Sequence, residues 1–202
     1  MRETIPLIDL FAGPGGLGEG FARFRAKGRA RRSFQIVISI EKDPWAHRTL
    51  ELRSFYRQFL YRPVPDEYYA YLRGEITRED LFTSWPKEAH AAKNEARLAE
   101  LGSNADPSIY RWIDRALKNR STPHWILIGG PPCQAYSVIG RSRMRALPEF
   151  EEDRRHFLYR EYLQILARFR PSVFVMENVK GLLSSSNNGE MMFQRILKDL
   201  KQ

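Results

Sequence analysis

Four apolar runs limit the architectures open to this chain: Leu7-Ile8-Asp9-Leu10-Phe11, Ile36-Val37-Ile38-Ser39-Ile40, Trp125-Ile126-Leu127-Ile128 and Val173-Phe174-Val175-Met176. Each is too short for a buried helix and rich in strand formers. Such runs read as strands buried on both faces of a parallel sheet. Between them the period becomes helical. Leu17, Phe21 and Phe24 share a face after the first run, and Leu52, Phe55, Tyr56, Phe59 and Leu60 do so after the second. Tyr162, Ile165, Leu166 and Phe169 form a third face that stops before Pro171. The alternation predicts an α/β fold with a doubly wound, mostly parallel, Rossmann-like sheet. Residues 86 to about 121 depart from it. An alanine face (Ala89, Ala92, Ala96, Ala99) ended by Gly102 precedes Asp106 as cap, Pro107, and the face Ile109, Trp112, Ile113, Ala116 and Leu117. This spacing predicts a helical hairpin inserted against the sheet edge.

Aromatic residues make up 12% of the chain, enough for a substantial core. A single cysteine excludes an intrachain disulfide framework and a cysteine-based zinc site, and points to a reducing compartment. No window approaches the roughly 20 apolar residues needed to cross a bilayer. The segment Met1-Arg2-Glu3-Thr4-Ile5-Pro6 lacks a signal-peptide apolar region, so the expected location is the cytoplasm, with no membrane partner. Formal net charge is +9, which favours a polyanionic partner. Arg23, Arg25, Lys27, Arg29, Arg31 and Arg32 crowd one acid-free segment, where a solvated face and a phosphate contact are equally plausible readings. Arg141, Arg143 and Arg145 crowd a second, just after the cysteine, where phosphate contact is favoured.

The cysteine lies in Gly129-Gly130-Pro131-Pro132-Cys133-Gln134, directly after the third apolar run. Two glycines and two prolines hold this segment out of helix and strand, so the thiol is displayed at the strand end that faces the ligand crevice of an open sheet. The first run leads into Gly13-Pro14-Gly15-Gly16-Leu17-Gly18, a glycine-rich turn and helix start that lets backbone N–H groups approach a ligand. Glu41 ends the second run, where an acid can grip ribose hydroxyls. Alone, these features suit a nicotinamide dehydrogenase as well as a methyltransferase.

Taken together, the motifs decide between them. Asp9-Leu10-Phe11-Ala12-Gly13-x-Gly15-Gly16 resembles the first motif of the DNA cytosine-5 methyltransferases, Pro131-Pro132-Cys133-Gln134 their nucleophile motif, and Glu177-Asn178-Val179 their E-N-V motif, in the same chain order. Gly74-Glu75-Ile76-Thr77 and Asp153-x-Arg155 with Leu158-Tyr159 resemble weaker family blocks. The resemblance implies S-adenosyl-L-methionine as cofactor. Phe11 and Ala12 would lie near its adenine, Gly13, Gly15 and Gly16 around its methionine portion, and Glu41 at its ribose. Lys42 and the pair Glu75 and Ile76 would stand beside the adenine, with Pro132 and Leu158 closing the pocket. Two positions depart from the family pattern: Lys42 replaces an apolar or aromatic residue, and Glu75 a more usual aspartate.

The resemblance further implies Cys133 as the thiolate that adds to carbon 6 of a flipped-out cytosine, and Glu177 as the acid at ring nitrogen 3. Gln134, Ser137, Arg141 and Arg155 would contact double-stranded DNA. Family members continue beyond the E-N-V motif with a target-recognition domain and the last strands of the sheet. The expectation is therefore an incomplete catalytic domain, completed by further residues or by a second chain. Its sheet would expose an edge. A transfer-RNA methyltransferase of the same fold and a non-catalytic subunit are the alternatives.

Overall fold

All four apolar runs are strands in the computed structural model, which describes residues 4–28, 32–102, 108–118, 122–131, 158–178, 182, 186–187 and 190–201. They are β1 (Ile5–Leu10), β2 (Phe34–Glu41), β4 (Ile126–Gly129) and β5 (Val173–Met176), joined by β3 (Ala96–Leu98) in one sheet. Every pairing is parallel, in the order β3-β2-β1-β4-β5. Helix α1 (Gly16–Arg23) covers one face, with Leu17, Phe21 and Ala22 against Leu7, Ile36, Ile126 and Ile128. Helices α6 (Ser108–Leu117) and α7 (Leu158–Phe169) cover the other, with Ile109, Ile113, Tyr162 and Ile165 against Ile8, Leu10, Ile38, Ile40 and Leu127. The sheet is doubly wound, as the alternation of elements requires. From β1 the chain runs outward through β2 and β3, then returns to β4 on the other side. The strand order therefore reverses between β1 and β4, which opens a crevice at their carboxyl ends.

Helix α2 (Pro44–Arg57) starts under a full cap: Asp43 Oδ1 accepts the Trp45 and Ala46 N–H groups at 3.0 and 2.7 Å, and Pro44 fills the first turn. The chain then leaves the sheet through α3 (Asp66–Leu72), α4 (Arg78–Ser84) and α5 (Pro86–Glu95), which close over Phe55, Phe59, Leu81, Ala89 and Ala92. Buried Arg57 ties this bundle to the sheet layer by pairing with Glu19 of α1 and Glu95 of α5. The hairpin expected over 86 to about 121 is corrected here. The alanine helix stops at Glu95, Ala96 turns extended, and Ala96–Leu98 pair with Ser39–Glu41 as the edge strand. Ala96 is buried against Ala12 and Leu50, so the same alanine spacing serves a helix face and then a strand.

At the opposite edge, β5 departs from the expectation of two buried faces: Val173, Phe174 and Val175 are exposed. The Tyr162 hydroxyl holds this strand to β4, shared between the Leu127 and Val175 carbonyls at 3.1 and 3.2 Å. A two-strand ribbon, β6 (Ser186–Asn187) and β7 (Glu190–Met191), precedes α8 (Met192–Asp199). Among the described residues, no helix is long and apolar enough to cross a membrane.

Candidate functional site

The site is built where β1, β2 and β4 end. Phe11 leaves β1 with φ 55, a left-handed conformation that a bulky side chain rarely adopts and that marks a constrained position. Gly13 and Gly15 follow at φ 56 and 89, where only glycine is free of strain. Glu41 stitches this turn to β2. Its Oε2 accepts the Gly13 N–H at 2.7 Å, and its Oε1 accepts those of Lys42 and Asp43 at 2.9 and 2.7 Å. A carboxylate has about four acceptor positions, so among the described residues one remains open, on Oε2. Ala12 donates its N–H to the Ile40 carbonyl at 3.0 Å, and Gly16 opens α1.

A slot of about 90 Å³ lies beside this turn. Phe11, Ile40, Glu41 and Lys42 form one side, and Ala99, Leu101, Gly130 and Leu158 the other. It suits a flat ring, not a whole nucleoside-sized ligand. Larger cavities occur elsewhere, but its position at the strand-order reversal makes this one the candidate ligand site. Of the expected cofactor residues, Phe11, Glu41, Lys42 and Leu158 meet at the slot, and Ala12, Gly13, Gly15 and Gly16 form the adjoining turn.

Glu75 and Ile76 are not there, which corrects the sequence expectation. Glu75 is exposed and paired with Arg73 at 2.6 Å, and Ile76 packs into the helical cluster around Phe55 and Leu81. Their place at the slot is taken by the residues that follow β3. Ala99 N–H bonds to the Glu41 carbonyl at 2.9 Å, Leu101 is buried in the lining, and Glu100 pairs with Lys42 at 3.1 Å. Sequence reasoning missed Ile40, Ala99, Leu101 and Gly130. For Ala99 and Leu101 the signal was β3 itself, hidden in the alanine pattern.

Glu177, directly after β5, sits next to the turn that follows β4. Its N–H donates to the Gly129 carbonyl at 2.8 Å, and its Oε2 lies 3.8 Å from where a Cβ on Gly130 would be. The turn continues through buried Pro131 toward the cysteine. Pro132, Cys133, Gln134, Ser137, Arg141 and Arg155 lie outside the described residues. Beneath the glycine turn, Asp9 is buried with Oδ2 lacking a hydrogen-bond partner among the described residues. Burial pushes its carboxyl up to about 7; Arg57 opposes the shift, and Glu177 and Glu41 add to it. Among the described residues, no group of three or more His, Cys, Asp or Glu is arranged to hold a metal ion.

The family model described as C-5 cytosine-specific DNA methylase matches residues 109–202. M.Bpa9945I, a type II methyltransferase of Bacillus paralicheniformis, is 33% identical over 211 residues, covering 97% of this chain and 45% of that protein. M.AquIA, a type II methyltransferase of a Picosynechococcus species, is 31% identical over 180 residues, covering 89% and 50% respectively. The chain thus spans about half the length of these curated relatives. The solved structure of the Entamoeba histolytica methyltransferase EhMeth is similar with a TM-score of 0.43 and 17% identity, over 99% of this chain and 44% of that one.

Proposed function

Because the chain belongs to the C-5 cytosine-specific DNA methylase family, we propose that it is the cofactor-binding and nucleophile-bearing part of an enzyme that methylates carbon 5 of cytosine in DNA. One observation carries this reading. The Glu177 carboxylate stands beside Gly130, three residues before Cys133, at the ends of adjacent parallel strands and next to the Phe11–Glu41 slot. S-adenosyl-L-methionine fits these residues, because the glycine turn is open to close approach and Glu41 keeps an acceptor position for a ribose hydroxyl. When bound, that cofactor supplies an electrophilic methyl group. Phe11 and Leu101 would hold the adenine, with Lys42 and Glu100 at its outer edge. Gly13, Gly15 and Gly16 border the methionine end.

The Cys133 thiolate adds to carbon 6 of the target base, forming a carbon–sulfur bond and making carbon 5 nucleophilic. Glu177 gives or shares a proton at ring nitrogen 3, where negative charge would otherwise build. After methylation, loss of the carbon-5 proton restores the double bond and expels Cys133 as thiolate. Pro132 and Leu158 would close the pocket near the methyl donor. Gln134, Ser137, Arg141 and Arg155 contact the DNA around the extruded base. Type II relatives support a restriction–modification setting. The target-recognition region comes from further residues or a second chain, docked beside β5.

The test combines this chain, with and without the polypeptide that completes it, with S-adenosyl-L-methionine and a duplex carrying 5-fluorocytosine. A covalent adduct that is abolished by Cys133→Ser is expected. Cofactor binding without an adduct in the completed enzyme favours a non-catalytic subunit, and an adduct with transfer RNA alone favours the RNA enzyme. Calorimetry showing tighter binding of NAD than of S-adenosylhomocysteine would overturn the family of reactions altogether.

A further inference from the structure

A cavity of about 450 Å³ runs from the start of α1 along a groove between α1, α2 and α3, on the other side of the glycine turn from the slot. Gly16, Glu19, Gly20 and Arg23 present one face of α1, at the i, i+3, i+4, i+7 spacing that aligns side chains on a helix. Arg53 and Tyr56 face them from α2, and Tyr68 from α3. Among the described residues nothing lies within 4 Å of a Cβ built on Gly16 or Gly20, so packing among them does not require glycine at either position. An alanine would stabilise the helix by about 1 kcal/mol at an interior site. The two missing side chains instead leave the floor of the groove open.

The walls are cationic. Arg53 has no carboxylate partner among the described residues; its Nη1 lies 3.9 Å from the Cβ position of Gly15, so it projects toward the groove's upper end. Arg23 is 71% exposed and shares Glu19 with Arg57, so one carboxylate faces two guanidinium groups. Past Arg23 the chain continues with Arg25, Lys27, Arg29, Arg31 and Arg32 and no acid. Arg29 and Arg31 lie outside the described residues. The rings of Tyr56 and Tyr68, with centroids 5.2 Å apart and planes tilted by 49°, line the groove together with the two arginines. Two guanidinium groups in one open groove, against the single carboxylate of Glu19, leave an excess of positive charge that suits neighbouring phosphates.

We propose that the α1–α2 groove binds the phosphodiester backbone of DNA, as a sequence-independent contact separate from the target-base site. The proposal rests on the DNA reading above only for its choice of polyanion. An A·T-only duplex of about 24 base pairs contains no cytosine, which removes target-base capture from the measurement, and the paired arginine variants then isolate the groove from other backbone contacts. Fluorescence anisotropy titrations across a range of salt would compare the wild type with Arg23→Gln/Arg53→Gln and with Arg23→Lys/Arg53→Lys. Two lost phosphate contacts reduce the slope of log K against log salt by roughly 1.8. At 50 mM salt the glutamine variant is expected to bind about tenfold or more weakly, whereas the lysine variant keeps the wild-type slope. Failure of the wild type to bind this duplex, or an unchanged affinity and slope in the glutamine variant, would overturn the proposal. So would displacement of the duplex by millimolar inorganic phosphate at constant ionic strength, since that marks a small-anion site. Calorimetry with S-adenosylhomocysteine on the same proteins separates the two readings. Absent cofactor binding in the wild type counts against the proposed function alone, and an unchanged duplex slope beside normal cofactor binding counts against the groove alone.

Discussion

Gly129 and Gly130 are neighbours with opposite tolerance for a single methyl group. A Cβ on Gly129 would stand 2.5 Å from the Leu10 carbonyl oxygen and 3.0 Å from the Tyr162 ring. The first obstacle is backbone in the adjacent strand, and the ring is held by its hydroxyl, so neither can move aside cheaply. A Cβ on Gly130 would meet only Glu177, at 3.8 and 3.9 Å, an ordinary contact distance. Overpacking of a dense interior costs about 1–3 kcal/mol. The backbone clash puts Gly129→Ala at the upper end, about 3 kcal/mol, which for a chain near 200 residues lowers Tm by about 6–12 °C. Gly130→Ala should stay within about 0.5 kcal/mol, as a surface-like change does. Urea and thermal unfolding followed by circular dichroism would measure both. Equal losses in the two variants, or a Gly129→Ala protein as stable as the wild type, would refute the claim that β4 ends against β1 as described.

Asp9 gives a pH signature. With its folded pKa raised to about 7 from an ordinary 3.8, the native state holds a proton that the unfolded chain releases between those values. Stability should therefore fall as pH rises through that window, by up to roughly 4 kcal/mol, and Asp9→Asn should flatten the slope in denaturant titrations at stepped pH. Arg57→Ala strands largely buried Glu95 and leaves Glu19 only the exposed Arg23, and should cost about 3–5 kcal/mol in urea unfolding, much of it recovered when both acids become glutamine. Leu101→Ala should weaken S-adenosylhomocysteine binding about tenfold by calorimetry, and Glu75→Ala should leave it unchanged. The reverse result would restore the sequence-based assignment of the adenine edge.

Four strands and three helix faces were legible because their apolar residues repeat over enough positions to define a period. β3 was not, since three residues carry no period and alanine favours helix until pairing with β2 overrides it. The Gly74-Glu75-Ile76-Thr77 stretch misled for a local reason. Gly74, at φ 77, follows the end of α3, and Thr77 caps α4 in a reciprocal box with Asp80. A helix stop followed by a helix start has the same letters as a cofactor block. The turn after β1 and the placement of Glu41 and Glu177 at strand ends were legible because a glycine or an acid at the end of an apolar run marks where the strand stops. Leu101 and Gly130 were not, because apolar residues and glycine at a cavity wall look like any core or turn position.

The three backbone bonds accepted by Glu41 bear on the thermodynamics of ligand capture. A receptor whose acid already fastens its own peptide groups spends little conformational entropy when a guest arrives, since the surrounding chain has no freedom left to lose. Its gain in enthalpy is correspondingly small, because a second incoming hydroxyl must displace or share an existing bond. Affinity at this end of the crevice should then come mainly from dehydrating the ring that slides between Phe11 and Leu101, with the large negative heat-capacity change that accompanies loss of apolar hydration.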